Sequence, residues 1–300
     1  MKIIDFIKVL QKEIPNLVVS KKKKFRELTT FAIGGKIGAY AKVCKIKTLV
    51  KLLRLIKEND IKYFLLGRGS NLLASDKFHD IFVVHICMDK IFCFQDKIVC
   101  DAGVNLFRLN IFAKENCLSG LEWSFGIPGS VGGAVYGNAG SFGGEMSQVV
   151  KYVYFTDGKR LYRKSAEELD FSYRKSFFSG RNFAILRVVF QLKKGDKNDI
   201  NKLCDDYFSQ KKALQPYNAC SAGSVFKRPN NNFVPILIEK CNLKGKRIGN
   251  AQISTKHCGF IVNIDGKAKF RDVFSLILLI KRRIYKQFKI CLEEEIVILK

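Results

Sequence analysis

The sequence predicts an α+β protein of two or three structural units that holds a phosphorylated ligand with its backbone. Three observations carry that expectation. Segments of helical and of strand periodicity are interspersed along 300 residues, more chain than one small core usually organises. Residues 126–144 read G-I-P-G-S-V-G-G-A-V-Y-G-N-A-G-S-F-G-G and hold eight of the 23 glycines, a concentration that costs backbone entropy and needs a physical reason. A second glycine turn, G-R-G-S-N-L-L at 67–73, follows directly on an apolar strand-like run.

The long glycine run is not a flexible linker. Ile127, Val131, Ala134, Val135, Tyr136 and Phe142 are interleaved in it, and Trp123 lies just before it. An ordered, half-buried loop that presents N–H groups to an anion is expected. The turn at 67–73 is neither G-x-G-x-x-G nor a P-loop, so it licenses no nucleotide-hydrolase reading.

With 47% hydrophobic residues the chain can build a sizeable interior. The net charge of +26 admits three readings: nucleic-acid binding, attraction of an anionic substrate, and compositional bias toward Lys, Ile, Phe and Asn. The basic residues are spread along the whole chain, which favours bias, with substrate attraction acting locally. None of the ten cysteines forms C-x-x-C, and His79, His85 and His257 make no metal-spaced cluster, so no metal is expected. Cys87, Cys93 and Cys100 lie in apolar runs, where buried reduced thiol is the default. The start of the chain reads as an amphipathic helix rather than a secretory leader, and the apolar run 274–280 is too short to span a bilayer. The expected setting is a reducing cytoplasm, with no membrane or nucleic-acid partner and a monomer as the working unit.

Taken in order, Ile3, Phe6, Ile7, Leu10 and Ile14 mark the first helix, and a lysine run follows at 21–24. Strands are expected at 39–43, 63–66, 81–86, 91–94 and 98–100. A helix capped by Thr48 extends to about 59, and one started by Asn105 to about 116. Thr156, Asp157 and Gly158 join 152–155 to 159–162 as a hairpin. Ser165 and Glu168 form a capping box, and a strand covers 183–192. The polar segment 193–199 reads as a boundary. Beyond it come a helix to about 214, a loop at 220–229, a helix at 235–241, a strand at 259–263, a helix at 272–288 and a strand at 296–299.

Arg174, between aromatics, can anchor a carboxylate through paired hydrogen bonds or lie on the surface stacked on Tyr173. Ser224, exposed by Gly223, can act as a hydroxyl group or as a helix cap. Glu295 opens a terminal strand, where a glutamate is ordinarily solvated. From the residues alone the reading ends at a phosphorylated cofactor held by two glycine loops.

The combination T-T-F-A-I-G-G, L-G-R-G-S-N-L-L, G-x-x-W-x-x-G-I-P-G-S-V-G-G-A-x-x-x-N-A-G, F-x-Y-R-x-S-x-F, A-G-S-V-F-K-R-P, I-G-x-A-x-x-S-x-K-H-x-G-F-I-V-N and L-E-x-E-I, in that order, closely resembles the UDP-N-acetylenolpyruvoylglucosamine reductase family from about residue 25 to the end. The resemblance implies a two-subdomain flavin-binding unit of the vanillyl-alcohol-oxidase (PCMH) type at 25–193, dividing near 85–90. A substrate-binding α+β domain at 194–300 follows it, and a helix and basic loop at 1–24 precede it. It implies FAD on Thr30, Ile33, Gly34 and Gly35, on Gly67, Arg68, Gly69, Ser70, Asn71 and Leu72, and on the long loop. The long-loop positions are Gly126, Ile127, Pro128, Gly129, Ser130, Gly132, Gly133, Ala134, Asn138, Ala139 and Gly140. The short interval from Arg174 to Ser224 looks like the compact subclass that lacks a tyrosine-bearing loop.

The implied reaction passes hydride from NADPH, by way of FAD, to C3 of the enolpyruvyl ether of UDP-N-acetylglucosamine, a bacterial peptidoglycan precursor. Arg174 and Glu295 are then implied to meet the developing negative charge, and Ser224 to protonate C2. Tyr173, Lys212, Lys227 and Arg228 are candidate substrate contacts. Three adjacent glutamates leave Glu293 as an alternative to Glu295, and Leu214 stands where the family often has a basic residue. Another flavin oxidoreductase of the same superfamily is disfavoured by A-G-S-V-F and L-E-x-E. A basic nucleic-acid binder leaves the glycine loops unexplained.

Overall fold

The computed structural model describes residues 1–229 and 232–300, which pack into two compact units. The first comprises Met1–Lys21, Gly38–Arg68 and Asp80–Ser209; the second comprises Lys22–Ile37, Gly69–His79 and Gln210–Lys300. This division is interleaved, whereas the sequence reading placed contiguous boundaries at 25, 193 and 194. The reason lies in the second core: Phe31, Ile33 and Leu73 are buried with Val225, Ile253, Ile261 and Leu276. Leu72–Ala74 also pairs in parallel with Val297–Leu299, a partnership with no local signal in the sequence.

One sheet of the first unit has four strands, ordered Val19–Ser20, Ile37–Val43, His79–Ile86, Tyr63–Leu66. Strand alternation sends Ala39, Ala41 and Val43 into a core with Phe82 and Val84. Helices Ile3–Glu13 and Ile46–Glu58 bury Phe6, Leu10, Leu49, Leu52 and Ile56 in the same core. Each such side chain contributes about 1.5–3 kcal/mol. The second helix begins at Ile46 with no side-chain cap, so Thr48 lies inside its first turn rather than capping it.

Tyr40 and His85 do not join this core; the tyrosine hydroxyl lies 2.7 Å from His85 Nδ1. Burial lowers the His85 pKa, and the nearby charges of Lys42 and Arg68 push it the same way. An unfolded histidine titrates near ~6.5. Below that value, down to the folded pKa, the unfolded chain binds more protons and stability falls with falling pH. His85→Gln is expected to shallow the loss of Tm between about pH 7 and pH 5. An unchanged pH slope removes His85 from this role.

The other sheet of the first unit is antiparallel, ordered Leu161–Ser165, Val150–Thr156, Ala184–Gln191, Lys97–Asp101, Ile91–Phe94. The expected hairpin is present: Asp157 Oδ1 accepts the N–H groups of Lys159 and Arg160 at 2.8 Å each. Buried Asp101 is paired with Arg187 at 2.8 Å. Cys100 is fully buried in this sheet, but Cys87 and Cys93 are only half-buried, because they sit near strand ends. The segment 193–199, read from the sequence as a boundary, lies within the first unit. Lys193–Lys194 pairs with Leu118–Ser119, and helix Lys197–Leu214 starts there, burying Ile200 and Cys204 with Phe125.

In the second unit Arg247–Ile248, Ala251–Ile253 and Ile261–Asn263 form an antiparallel sheet. Helix Phe270–Phe288 shares its core through Val273, Leu276, Ile277, Ile280 and Ile284, with Leu237 and Ile238 of helix Val234–Lys240. Asn263 ties this core to the 29–35 segment, donating to Phe31 O at 2.9 Å and accepting from Ala268 N at 2.7 Å. Among the described residues no helix is long and apolar enough to cross a membrane.

Candidate active site

In the first unit the long glycine run is not a plain loop. Val131–Tyr136 is a short helix, and buried Ser130 caps it by accepting the Gly133 N–H at 3.3 Å. Ser130 also explains Gly67, because a Cβ there would lie 2.5 Å from the serine Oγ. The two predicted loops therefore meet, and they meet through a missing side chain. Gly132 abuts Ala102, 2.9 Å from the position its own Cβ would take, and Gly129 O accepts from Leu106 N at 3.0 Å. Gly126 has φ 81°.

Asn138, fully buried with φ 41°, donates to Ser172 O at 3.1 Å and accepts from Ser147 N at 3.0 Å. Ser172 and Lys175 exchange two 3.0 Å backbone hydrogen bonds, leaving Tyr173 and Arg174 as the corner of a tight turn. Arg174 has φ 55°, unfavourable for a side chain with a Cβ. One guanidinium nitrogen donates to Gly140 O at 3.0 Å, and the group lies 5.1 Å from the Tyr173 ring centre. The stacking on Tyr173 weighed from the sequence is present, and the hydrogen bond to Gly140 O goes to a backbone carbonyl rather than to a carboxylate.

Three of the 29–35 positions are used by the second unit itself. Ile33 is in the core; a Cβ at Gly34 would meet Phe25 Cβ at 2.5 Å, and one at Gly35 would meet Lys77 O at 2.0 Å. These two glycines permit packing of protein on protein. Thr30 donates its hydroxyl to Ser221 O at 2.7 Å. The neighbouring Thr29 was missed: its Oγ1 is buried with no hydrogen-bond partner among the described residues. The tandem threonines gave no signal to tell them apart.

Gly69 packs on this pair. It has φ 63°, and a Cβ would lie 2.2 Å from Leu28 O and 2.9 Å from Thr29 Cα. The N–H groups of Gly69, Ser70 and Asn71 donate to no acceptor among the described residues. A run of open N–H donors beside an orphaned hydroxyl, with no carboxylate in the turn, fits the diphosphate of FAD. Gly69→Ala is expected to weaken FAD binding by about 10- to 100-fold, from a strained left-handed residue and a collision with backbone. FAD titration of the apoprotein measures it, and an unchanged Kd counts against this cradle.

Ser224 and Glu295 come together in the second unit. Val225 N–H donates to Gly259 O at 2.9 Å, and Glu295 N–H donates to Val225 O at 2.8 Å. Glu295 O in turn accepts from Asn71 Nδ2 at 3.1 Å. Glu293 is ion-paired with Lys227, and Glu294 with Lys281 at 2.9 Å. Lys227 thus answers a local carboxylate. The Arg228 guanidinium lies 5.3 Å from the Phe233 ring centre. Lys212 and Lys256 line a cavity of about 380 Å³ with Pro216, Tyr217, Asn218 and Ala219, and Lys256 Nζ donates to Lys212 O. Lys256 and Tyr217 were not singled out from the sequence, because only folding brings 256 beside 212–219.

Fold and site define a flavin-binding oxidoreductase: residues 38–159 match the family model described as an FAD binding domain. Residues 215–299 match the model for the C-terminal domain of UDP-N-acetylenolpyruvoylglucosamine reductase. The chain is 42% identical over 269 residues to the UDP-N-acetylenolpyruvoylglucosamine reductase of Pseudothermotoga lettingae, spanning 89% of this chain and 93% of that one. It is 39% identical over 299 residues to that of Thermosipho melanesiensis, spanning 99% of each. The crystal structure of UDP-N-acetylenolpyruvylglucosamine reductase from Thermus caldophilus aligns with a TM-score of 0.81 at 32% identity, over 95% of this chain and 100% of that one. The chain belongs to the UDP-N-acetylenolpyruvoylglucosamine reductase family. Its fold is accordingly the expected α+β one, a flavin-binding unit with a further C-terminal domain.

Proposed function

We propose that this chain reduces the enolpyruvyl ether of UDP-N-acetylglucosamine to the lactyl ether of UDP-N-acetylmuramate, with NADPH as reductant, in the cytoplasmic synthesis of peptidoglycan precursors, and that it works as a monomer. The observation that carries the reading is the backbone pairing that sets Ser224 and Glu295 on neighbouring segments, inside the region matching the reductase C-terminal domain. FAD, when bound, supplies the hydride relay from reductant to substrate.

The chain's own residues do the rest. The open N–H groups of Gly69–Asn71 and the Thr29 hydroxyl hold the diphosphate. Arg174 stabilises the negative charge that develops as C3 gains hydride; Gly140 O and Tyr173 fix its plane beforehand, so little reorganisation is needed. Glu295 assists from a backbone clamped on both sides. Ser224 gives its hydroxyl proton to C2, a transfer that a weak acid can make only to a strongly basic carbanion. Lys212 and Lys256 are assigned to the substrate diphosphate, with Tyr173 and Arg228 as further contacts. Lys227, paired with Glu293, is the weaker candidate there.

An absorbance spectrum followed by anaerobic titration tests this reading. The purified protein is expected to be yellow and to release FAD on denaturation. NADPH should bleach it, and the enolpyruvyl substrate should restore the colour. A colourless protein that takes up no added FAD rejects the reading.

A further inference from the structure

Gly259 is where a third side chain approaches Ser224. A Cβ at this buried glycine would lie 3.2 Å from Ser224 Oγ, 3.1 Å from His257 Nδ1 and 2.9 Å from His257 Cε1. The absent side chain lets the hydroxyl and the edge of the imidazole face one small space. The ring is fixed there. Ser254 Oγ accepts the N–H groups of Lys256 and His257 at 3.1 and 3.2 Å, and Phe260 N–H donates to His257 O at 3.0 Å. Phe260 and Phe233 meet the imidazole edge-on at 5.0 and 6.2 Å between ring centres.

His257 Nδ1 accepts the Gly259 N–H at 3.2 Å. Further hydrogen bonds link the residues beyond it in series: Gly259 O accepts from Val225 N, Val225 O from Glu295 N, and Glu295 O from Asn71 Nδ2. The Gly259 carbonyl shares its peptide plane with the Phe260 N–H that His257 O accepts, but glycine has the widest backbone freedom of any residue, so the plane before it can still turn. The imidazole acceptor removes that freedom at one end of the residue, and Val225 reads the result at the other.

We propose that His257 is a positioning residue: its Nδ1 pins Gly259, and through Val225 it sets the orientation of Ser224 for proton transfer. An accepting Nδ1 places the proton of the neutral ring on Nε2. Burial lowers the His257 pKa, in keeping with that neutral form. No proton passes through His257, and the assignment rests on the reading of Ser224 as the proton donor.

The test separates the acceptor from the shape of the ring. In FAD-loaded protein, His257→Asn keeps an acceptor near the Nδ1 position. His257→Gln moves it outward, and His257→Phe keeps the ring but removes it. NADPH bleaching should stay within about 2-fold of the parent in all three. Reoxidation by the enolpyruvyl substrate should slow by up to about 100-fold in Phe and Gln and only a few-fold in Asn, as expected when a reacting group is misplaced by a fraction of an ångström. Should the Phe variant not fold, Gln against Asn carries the same comparison. Equal rates in Asn and Gln, or a parental rate in Phe, overturn the proposal. Ser224→Ala run alongside distinguishes the failures: if it reoxidises normally, the reading of Ser224 falls and takes this assignment with it. If it is slow while His257→Phe is not, only His257 falls.

Discussion

Ser224→Ala should still be bleached by NADPH at the parental rate, while its reoxidation by the enolpyruvyl substrate drops by about 10²–10⁴-fold, the usual range for a positioned proton donor. The variant removes one oxygen and leaves the backbone scaffold in place. The isolated bridge of Ser224 to Phe260, the 2.9 Å bond from Val225 to Gly259 and the 2.8 Å bond from Glu295 to Val225 are all main-chain. Stability should therefore stay close to the parent's, and FAD content should be unchanged. Stopped-flow absorbance of the two half-reactions measures both rates on one sample. Parental reoxidation would take Ser224 out of the acid role. Loss of both half-reactions together would point to a general disturbance of the flavin instead.

The elements that could be read in the sequence are those whose periodicity reports local structure. The helix at Ile3–Glu13, the strands at Tyr63–Leu66 and Ile91–Phe94 and the 156–158 hairpin fall within a few residues of expectation. What could not be read depends on partners distant in the chain. Leu72–Ala74 pairs with the final strand, and Phe31 and Ile33 enter a core made mostly of residues beyond 220, so the interleaved division had no local trace. The same distinction runs through the site. The glycines at 34, 35, 67 and 69 all read as openings for a ligand, yet the Cβ position of each faces protein: Phe25, the 76–77 backbone, Ser130 and the 28–29 backbone. Composition alone cannot distinguish a glycine that admits a ligand from one that admits a neighbouring chain segment. The three glutamates at 293–295 are alike in the sequence; Lys227 on the first and Lys281 on the second are partners that only folding brings to them. His257 stood in a recognisable motif with no assigned task, because what it does depends on Gly259 and Val225.

Arg174→Ala should retain FAD and bleaching by NADPH but lose about 10²–10³-fold in the rate of substrate reduction, the usual cost of removing one preorganised donor to developing negative charge. Among the contacts of the guanidinium are Gly140 O at 3.0 Å and the Tyr173 ring at 5.1 Å. A lysine can supply the charge but not the planar fork, so Arg174→Lys should recover only part of the rate. Stability should move separately from rate. Arg174 occupies the corner of its turn at φ 55°, a conformation that costs a residue with a Cβ roughly 1–2 kcal/mol and costs glycine little. Arg174→Gly should therefore be as inactive as Arg174→Ala yet melt at a higher temperature than the alanine variant. A backbone held in an unfavourable region, and tied down by Asn138 through Ser172, is expected where strain keeps a side chain aimed at its target. If Arg174→Ala reduced the substrate at the parental rate, the turn would be a structural corner and the charge-stabilising group would have to be sought elsewhere. If instead the Gly variant were inactive but no more stable than Ala, the strain would be too small to matter and the side-chain contacts, Gly140 O and Tyr173 among them, would account for the aim of the arginine.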